Sequence, residues 1–130
     1  LTLRFVPRDQ LDEHWPVAKA ALERVVAKGA SDWKIEHVYV MLFNGQAYLM
    51  LDDKGGAMVW MRYVREDGAG MMFILAASGN LGDRAPYYDE VMRLAKEANC
   101  KVIRMISPRE GWQRDPFWKM TGYVYEHEVR

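Results

Sequence analysis

Residues Met71-Met72-Phe73-Ile74-Leu75-Ala76-Ala77 form a run that is apolar along its length, followed by Gly79-Asn80-Leu81-Gly82-Asp83 and a helical pattern that opens at Pro86. An apolar run without alternation is what a strand covered on both faces needs. The polar, glycine-containing stretch behind it reads as a loop. Tyr88, Val91, Met92, Leu94 and Ala95 then recur at helical spacing until Asn99, and Pro86 suits a first turn because its missing N–H costs nothing there. Lys101 to Ser107 reads as the next strand through Val102, Ile103, Met105 and Ile106. It should run parallel to its predecessor, because a helix joins the two.

Working outward from this strand–loop–helix–strand unit, the upstream sequence supplies further extended segments. Gln46 to Leu51, Ala57 to Val64 and Met71 to Ala77 are separated by turns at Asp52-Asp53-Lys54-Gly55-Gly56 and near Asp67-Gly68, which predicts an antiparallel meander. Leu1, Leu3 and Phe5 alternate with Thr2 and Arg4 as a short first strand. Leu11, Trp15, Ala18, Leu22, Val25 and Val26 then mark an amphipathic helix that stops at Gly29, with Pro16 in its first turn. Ser31 is placed to cap a second helix through Trp33, Ile35, Val38, Tyr39, Leu42 and Phe43, although Val38 to Leu42 is also β-prone. Downstream, Arg109 to Thr121 predicts a short or broken helix interrupted by Pro116. Tyr123 to Val129 alternates as a final strand.

The 130 residues, half of them apolar, suit a single domain spanning residues 1–130 with one core. Eighteen basic and eighteen acidic side chains cancel, so no global field draws the chain to nucleic acid or an anionic membrane. A lone cysteine, Cys100, suits a reducing compartment, and no apolar run has the length of a membrane span. The N-terminal stretch lacks the pattern of a signal peptide. The expected location is the cytoplasm, with no membrane partner.

The predicted succession, β-α-α-β-β-β-α-β-α-β around a mixed central sheet, places the chain in the α/β (α+β) class. It resembles the GNAT (GCN5-related N-acetyltransferase) superfamily over essentially the whole chain. Phe117-Trp118-Lys119-Met120-Thr121-Gly122-Tyr123 is similar to that family's late helix and the strand after it. The resemblance implies an acyl-CoA-dependent N-acyltransferase acting on an amine substrate, with acetyl-CoA in an opening between the fourth and fifth strands. Its pyrophosphate would lie on the next helix N-terminus, where free N–H groups and the helix dipole favour an anion. Carried onto this sequence, the cofactor-binding positions are Leu75, Ala76, Ala77, Ser78, Gly79, Asn80, Gly82 and Arg84.

Two features depart from the family pattern. The usual loop motif, Q/R-x-x-G-x-G/A, is degenerate: with Gly79 as first glycine the other marked positions hold Ala76 and Leu81, and with Gly82 they hold Gly79 and Arg84. Asp83 adds a negative charge that Arg84 beside it offsets. Where many members place a tyrosine that protonates the departing thiolate, this chain has Trp118, which cannot. Tyr87, Tyr88, Tyr123 and Tyr125 lie nearby in sequence without one being singled out. Together with Gly111-Trp112-Gln113-Arg114, these departures resemble phage and prophage members. They leave a non-catalytic accessory or virion protein, acting on a protein partner, as the alternative function.

Other residues carry weaker signals. Lys101, Arg104, Arg109, Arg114 and Lys119 outnumber Glu110 and Asp115 and read either as an anion-binding rim or as a solvated surface over Trp112. Trp112, Phe117 and Trp118 read as core packing before they read as an acyl pocket. Met58, Met61, Met71 and Met72 read as core filling before an adaptable surface. His14, His37 and His127 lack ligand spacing, so no metal is expected. Cys100 reads as a buried hydrophobe.

Overall fold

In a computed structural model of the chain, the structure describes residues 2–28, 33–78, 84–107, 112 and 114–129, without the side chain of Arg84. The elements are β1 (Arg4–Val6), a single 3-10 turn (Arg8–Gln10), α1 (Leu11–Ala27), α2 (Ile35–Phe43), β2 (Tyr48–Leu51), β3 (Ala57–Val64), β4 (Gly70–Ser78), α3 (Arg84–Glu97) and β5 (Val102–Met105). The strands lie in sequence order, β1-β2-β3-β4-β5. Neighbours among the first four are antiparallel, and β5 is parallel to β4. The mixed α+β sheet is therefore the one the sequence predicts up to β5.

The sheet is covered on both faces, as the unalternated β4 requires. On one side Ala18, Ala21 and Leu22 of α1 and Val38 and Leu42 of α2 pack against Leu49, Leu51, Val59 and Ala76. On the other, Val91, Leu94 and Ala95 of α3 pack against Met50, Met58, Trp60, Met72 and Ile74. The methionines Met58, Met71 and Met72 are buried, so they fill the core rather than line a surface. Cys100 is buried as well. Among the described residues no helix is long and apolar enough to cross a membrane.

The second helix forms as expected, and other local expectations are corrected. The segment 38–42 is helical: Val38 and Leu42, one turn apart, are buried while Val40 between them is 51% exposed, whereas a strand would put all three on one face. The expected cap at Ser31 and stop at Gly29 lie outside the described residues. Pro16 sits in the second turn of α1, not the first, so the Asp12 carbonyl receives no N–H from it. Leu3, just before β1, and Val6 within it are buried on opposite faces of the sheet, while Phe5 is 52% exposed. Of the short or broken helix expected over 109–121, residues 109–111 and 113 lie outside the described residues, Trp112 and Arg114 have 3-10 geometry, and 118–121 are not helical. No strand forms within residues 118–129, which make no ladder with β5.

The turn from α3 into β5 sets where β5 starts. Asn99 takes a left-handed φ of 56°. The Cys100 N–H donates to Ala95 O at 2.8 Å and the Asn99 N–H to Lys96 O at 3.1 Å, the two bonds of a Schellman cap. Arg62 of β3 donates to Ala98 O (2.9 Å) and Asn99 O (3.1 Å), and the Lys101 N–H donates to Gly70 O at 2.8 Å. Gly70 has no room for a side chain: a Cβ there would meet the Asn99 carbonyl and lie 2.6 Å from Arg62 Nη2. Gly70→Ala should therefore cost about 1–3 kcal/mol by forcing this turn off β4, measured as a lower urea midpoint.

Candidate functional site

The end of β4 is built differently from its beginning. Val59 of β3 faces Ala76, but Trp60 faces Ile74, so Leu75 has no opposite residue and forms a bulge. Met72 and Ile74 point to the α3 side, whereas Leu75 and Ala76 both contact the core under α1 and α2. The extra residue reverses the phase of the strand. Pairing with β5 covers only Met71 to Ile74, ending at Ile74 opposite Met105. Beyond the bulge, Ala76, Ala77 and Ser78 remain paired with Val59, Met58 and Ala57 on one edge, with no β5 partner on the other.

Two neighbouring elements converge on this half-paired end. The first is the β2–β3 turn, where Asp52 Oδ1 accepts the N–H groups of Lys54 (2.8 Å) and Gly56 (2.7 Å). A Cβ at Gly56 would lie 2.6 Å from Ser78 O and against the Asp52 carboxylate, so glycine permits the turn to close on the last residue of β4. Arg24 of α1 donates to Gly55 O at 2.9 Å and ties the turn to the helix layer. Asp52 thus serves the turn, as aspartate in such a position does.

The second element is the first turn of α3. Tyr87 donates its hydroxyl to Met58 Sδ at 3.5 Å, and Met58 is the β3 partner of Ala77. This contact sets the helix start over the end of β4. Tyr88 points elsewhere: its hydroxyl donates to Asp115 Oδ2 at 2.5 Å and accepts from Trp118 Nε1 at 3.2 Å, while its ring stacks on Phe117 at 4.0 Å. The buried Asp115 also accepts the Phe117 N–H at 3.0 Å. The segment that leaves β5 therefore returns to the same helical turn.

Of the expected cofactor positions, Leu75, Ala76, Ala77 and Ser78 occupy the bulge and the half-paired end, Arg84 begins α3, and Gly79, Asn80 and Gly82 lie outside the described residues. Trp112, Phe117 and Trp118 pack on one another and on Tyr88, as the packing reading expects. Arg109 lies outside the described residues, and Lys101, Arg104, Arg114 and Lys119 are exposed. Among the described residues no group of three or more His, Cys, Asp or Glu could hold a metal ion. The geometry separates the tyrosines: Tyr123 and Tyr125 are exposed, while Tyr87 is half-buried at the site. The sequence signal for Tyr87 was its place one residue after Pro86, inside the first helical turn.

No family model and no curated protein matches the chain. Solved structures do. A ribosomal-protein-alanine N-acetyltransferase from Brucella melitensis biovar Abortus 2308 superposes with a TM-score of 0.63 at 11% identity, covering 100% of this chain and 99% of that one. A predicted acetyltransferase from Clostridium acetobutylicum, in a structure with acetyl-CoA, gives 0.62 at 10% identity over 98% and 95%. Glucosamine-6-phosphate N-acetyltransferase from Arabidopsis thaliana gives 0.55 at 6% identity over 99% and 98%. The fold is a GNAT fold. At these identities the likeness is one of GNAT architecture, and it lends no support to a phage or prophage origin.

Tyr87 can be read by titration. Burial foremost, then the negative charge of Asp52, pushes its hydroxyl from the usual 10.0 up to about 12. Between those values the unfolded chain loses the proton and the folded chain keeps it. Stability should therefore hold up to about pH 10 and fall by roughly 2 kcal/mol as the pH rises towards 12. Denaturant unfolding across this range should show the fall, and Tyr87→Phe should flatten it.

Proposed function

We propose that the chain is an acyl-CoA-dependent N-acyltransferase that binds acetyl-CoA at the half-paired end of β4. The observation that carries this reading is the bulge at Leu75 with the unpaired edge behind it, roofed by the first turn of α3. Backbone groups on an edge without a strand partner need another hydrogen-bonding partner. An extended, amide-bearing arm of the pantetheine type meets that need along Leu75 to Ser78. The N-terminus of α3, which begins at Arg84, directs its positive dipole towards phosphate. The donor set therefore fits the cofactor, and the acetyltransferases of the same fold, one solved with acetyl-CoA, support the assignment.

When bound, acetyl-CoA supplies an activated acetyl thioester. The chain's own part is to hold and orient. Main-chain groups of Leu75 to Ser78 align the arm, Arg84 neutralises phosphate charge, and the bulge turns Leu75 and Ala76 together towards the helices α1 and α2. The thioester held there would be open to direct attack by an amine, the N–C bond replacing the C–S bond and CoA leaving as the thiol with the proton the amine gives up, so that Leu75 to Ser78 contribute orientation and no covalent nucleophile is needed. Tyr87 retains its proton throughout the physiological range and is the neutral donor on the α3 side. Trp118 is engaged with Tyr88 and plays no part in proton transfer. The alternative of a non-catalytic protein with a protein partner finds no support in the structural likenesses.

Calorimetric titration with acetyl-CoA is the direct test. Micromolar binding with a raised melting temperature is the expected outcome, followed by acetyl-CoA consumption with a panel of primary amines. Loss of one charge-assisted phosphate contact in Arg84→Glu should weaken binding about 10- to 100-fold. Absence of binding at millimolar cofactor would overturn the proposal, and an unchanged affinity in the variant would remove Arg84 from the site.

A further inference from the structure

The buried face of α3 begins late. Val91, Leu94 and Ala95 are buried against the sheet, but none of the residues from Ala85 to Glu90 is. The first half of the helix is therefore held by polar and aromatic contacts more than by buried apolar side chains. Tyr87 donates to Met58 Sδ at 3.5 Å, a long bond to a weak acceptor. Glu90 Oε1 accepts the Leu3 N–H at 3.2 Å. Tyr88 donates to the Asp115 carboxylate at 2.5 Å, accepts from Trp118 Nε1 at 3.2 Å and lays its ring on Phe117 at 4.0 Å with 7° between the planes. This last set joins a short bond to a carboxylate with a stacked ring, which makes it the strongest fastening of the three.

The segment that Tyr88 grips is shaped for the purpose by its own local bonds. The Asp115 N–H donates to Trp112 O at 3.2 Å and the Trp118 N–H to Asp115 O at 3.1 Å, while Asp115 Oδ1 accepts the Phe117 N–H at 3.0 Å. Pro116 between them has its φ fixed by its ring. The turn over 115–118 thereby presents Asp115 Oδ2, the Trp118 indole N–H and the Phe117 ring together to one side chain of α3.

We propose that the 115–118 turn is a clasp that orders the first half of α3, with Tyr88 and Asp115 as positioning residues for ligand binding at the helix start. Clasped, the N-terminus of α3 is fixed over the half-paired end of β4 before a ligand arrives. Unclasped, the helix frays as far as the core residue Val91, and a ligand that needs the ordered start must supply that ordering itself. Linkage acts in both directions: what binds the ordered helix start also tightens the clasp. The ordering of α3 stands apart from the cofactor assignment, whereas the effect on acetyl-CoA affinity rests on it.

Amide hydrogen exchange of the full chain in increasing urea, with and without acetyl-CoA, tests both parts. Without ligand, the Phe117 amide and those of Tyr88 to Glu90 should exchange through one shared opening, less dependent on urea than the amides of Met72 to Ile74 in β4. Tyr88→Phe keeps the ring and removes the hydroxyl, and should quicken that opening about tenfold, as for one hydrogen bond to a charged group. Trp118→Phe spares the bond to Asp115 and should have a smaller effect. Acetyl-CoA should slow the shared opening, and Tyr88→Phe should weaken its affinity by between about twofold and tenfold, the second being the limit set by the change in the clasp. Exchange of Phe117 and of Tyr88 to Glu90 through separate openings, or only with the whole sheet, would overturn the clasp. Acetyl-CoA binding that leaves the Phe117 amide unaffected would overturn the coupling. Absence of acetyl-CoA binding would remove the cofactor reading alone, and the ligand-free exchange would still decide the clasp.

Discussion

Parallel pairing between β4 and β5 along only half of β4 is the constraint on which the rest of the molecule depends. From Met71 to Ile74 the strand has partners on both edges and helices over both faces. That region is enclosed on both edges and both faces. After the bulge at Leu75 one edge is released. In the proposed function, the released edge is where an extended ligand would be held by main chain, without specific side chains. This is consistent with a loop that carries no recognisable cofactor motif.

The two ends of the strand are held by different means. At its start, Gly70 lies under the Schellman turn at Asn99, and Arg62 bonds two carbonyls of that turn, so β5 cannot slide relative to β4. At its end, Gly56 allows the β2–β3 turn to approach Ser78, and Arg24 secures that turn to α1. Between these anchors, Leu22, Met58, Met72 and Val91 are among the fully buried side chains that join the layers. The half-paired end is therefore an opening in a well-supported frame.

Much of this frame was legible in the sequence. The unalternated apolar run Met71 to Ala77 announced a doubly covered strand, the helical spacing to Asn99 announced the crossover, and the glycine-bearing turns placed the meander. The bulge was not legible for the same reason that the strand was: with every position apolar, a phase reversal at Leu75 leaves no mark in the pattern. The positions Leu75 to Ser78 were reached through family resemblance, and Tyr87 emerged only when the fold set it over Met58. Residues 123–129 show the opposite failure. Their alternation reads as a strand, but a strand needs a partner edge, and these residues form no ladder.

Tyr87 and Tyr88 illustrate how adjacent identical residues acquire unlike duties. Successive side chains on a helix diverge by about 100°, so one hydroxyl reaches down to the sheet at Met58 and the next reaches out to Asp115. The first turn of α3 thereby acts as an adapter between layers, translating the position of the sheet into the position of the segment beyond β5. The pair is not interchangeable with a single tyrosine: removing either would disconnect one layer, and the placement of Asp115 to Trp118 against α3 depends on the second.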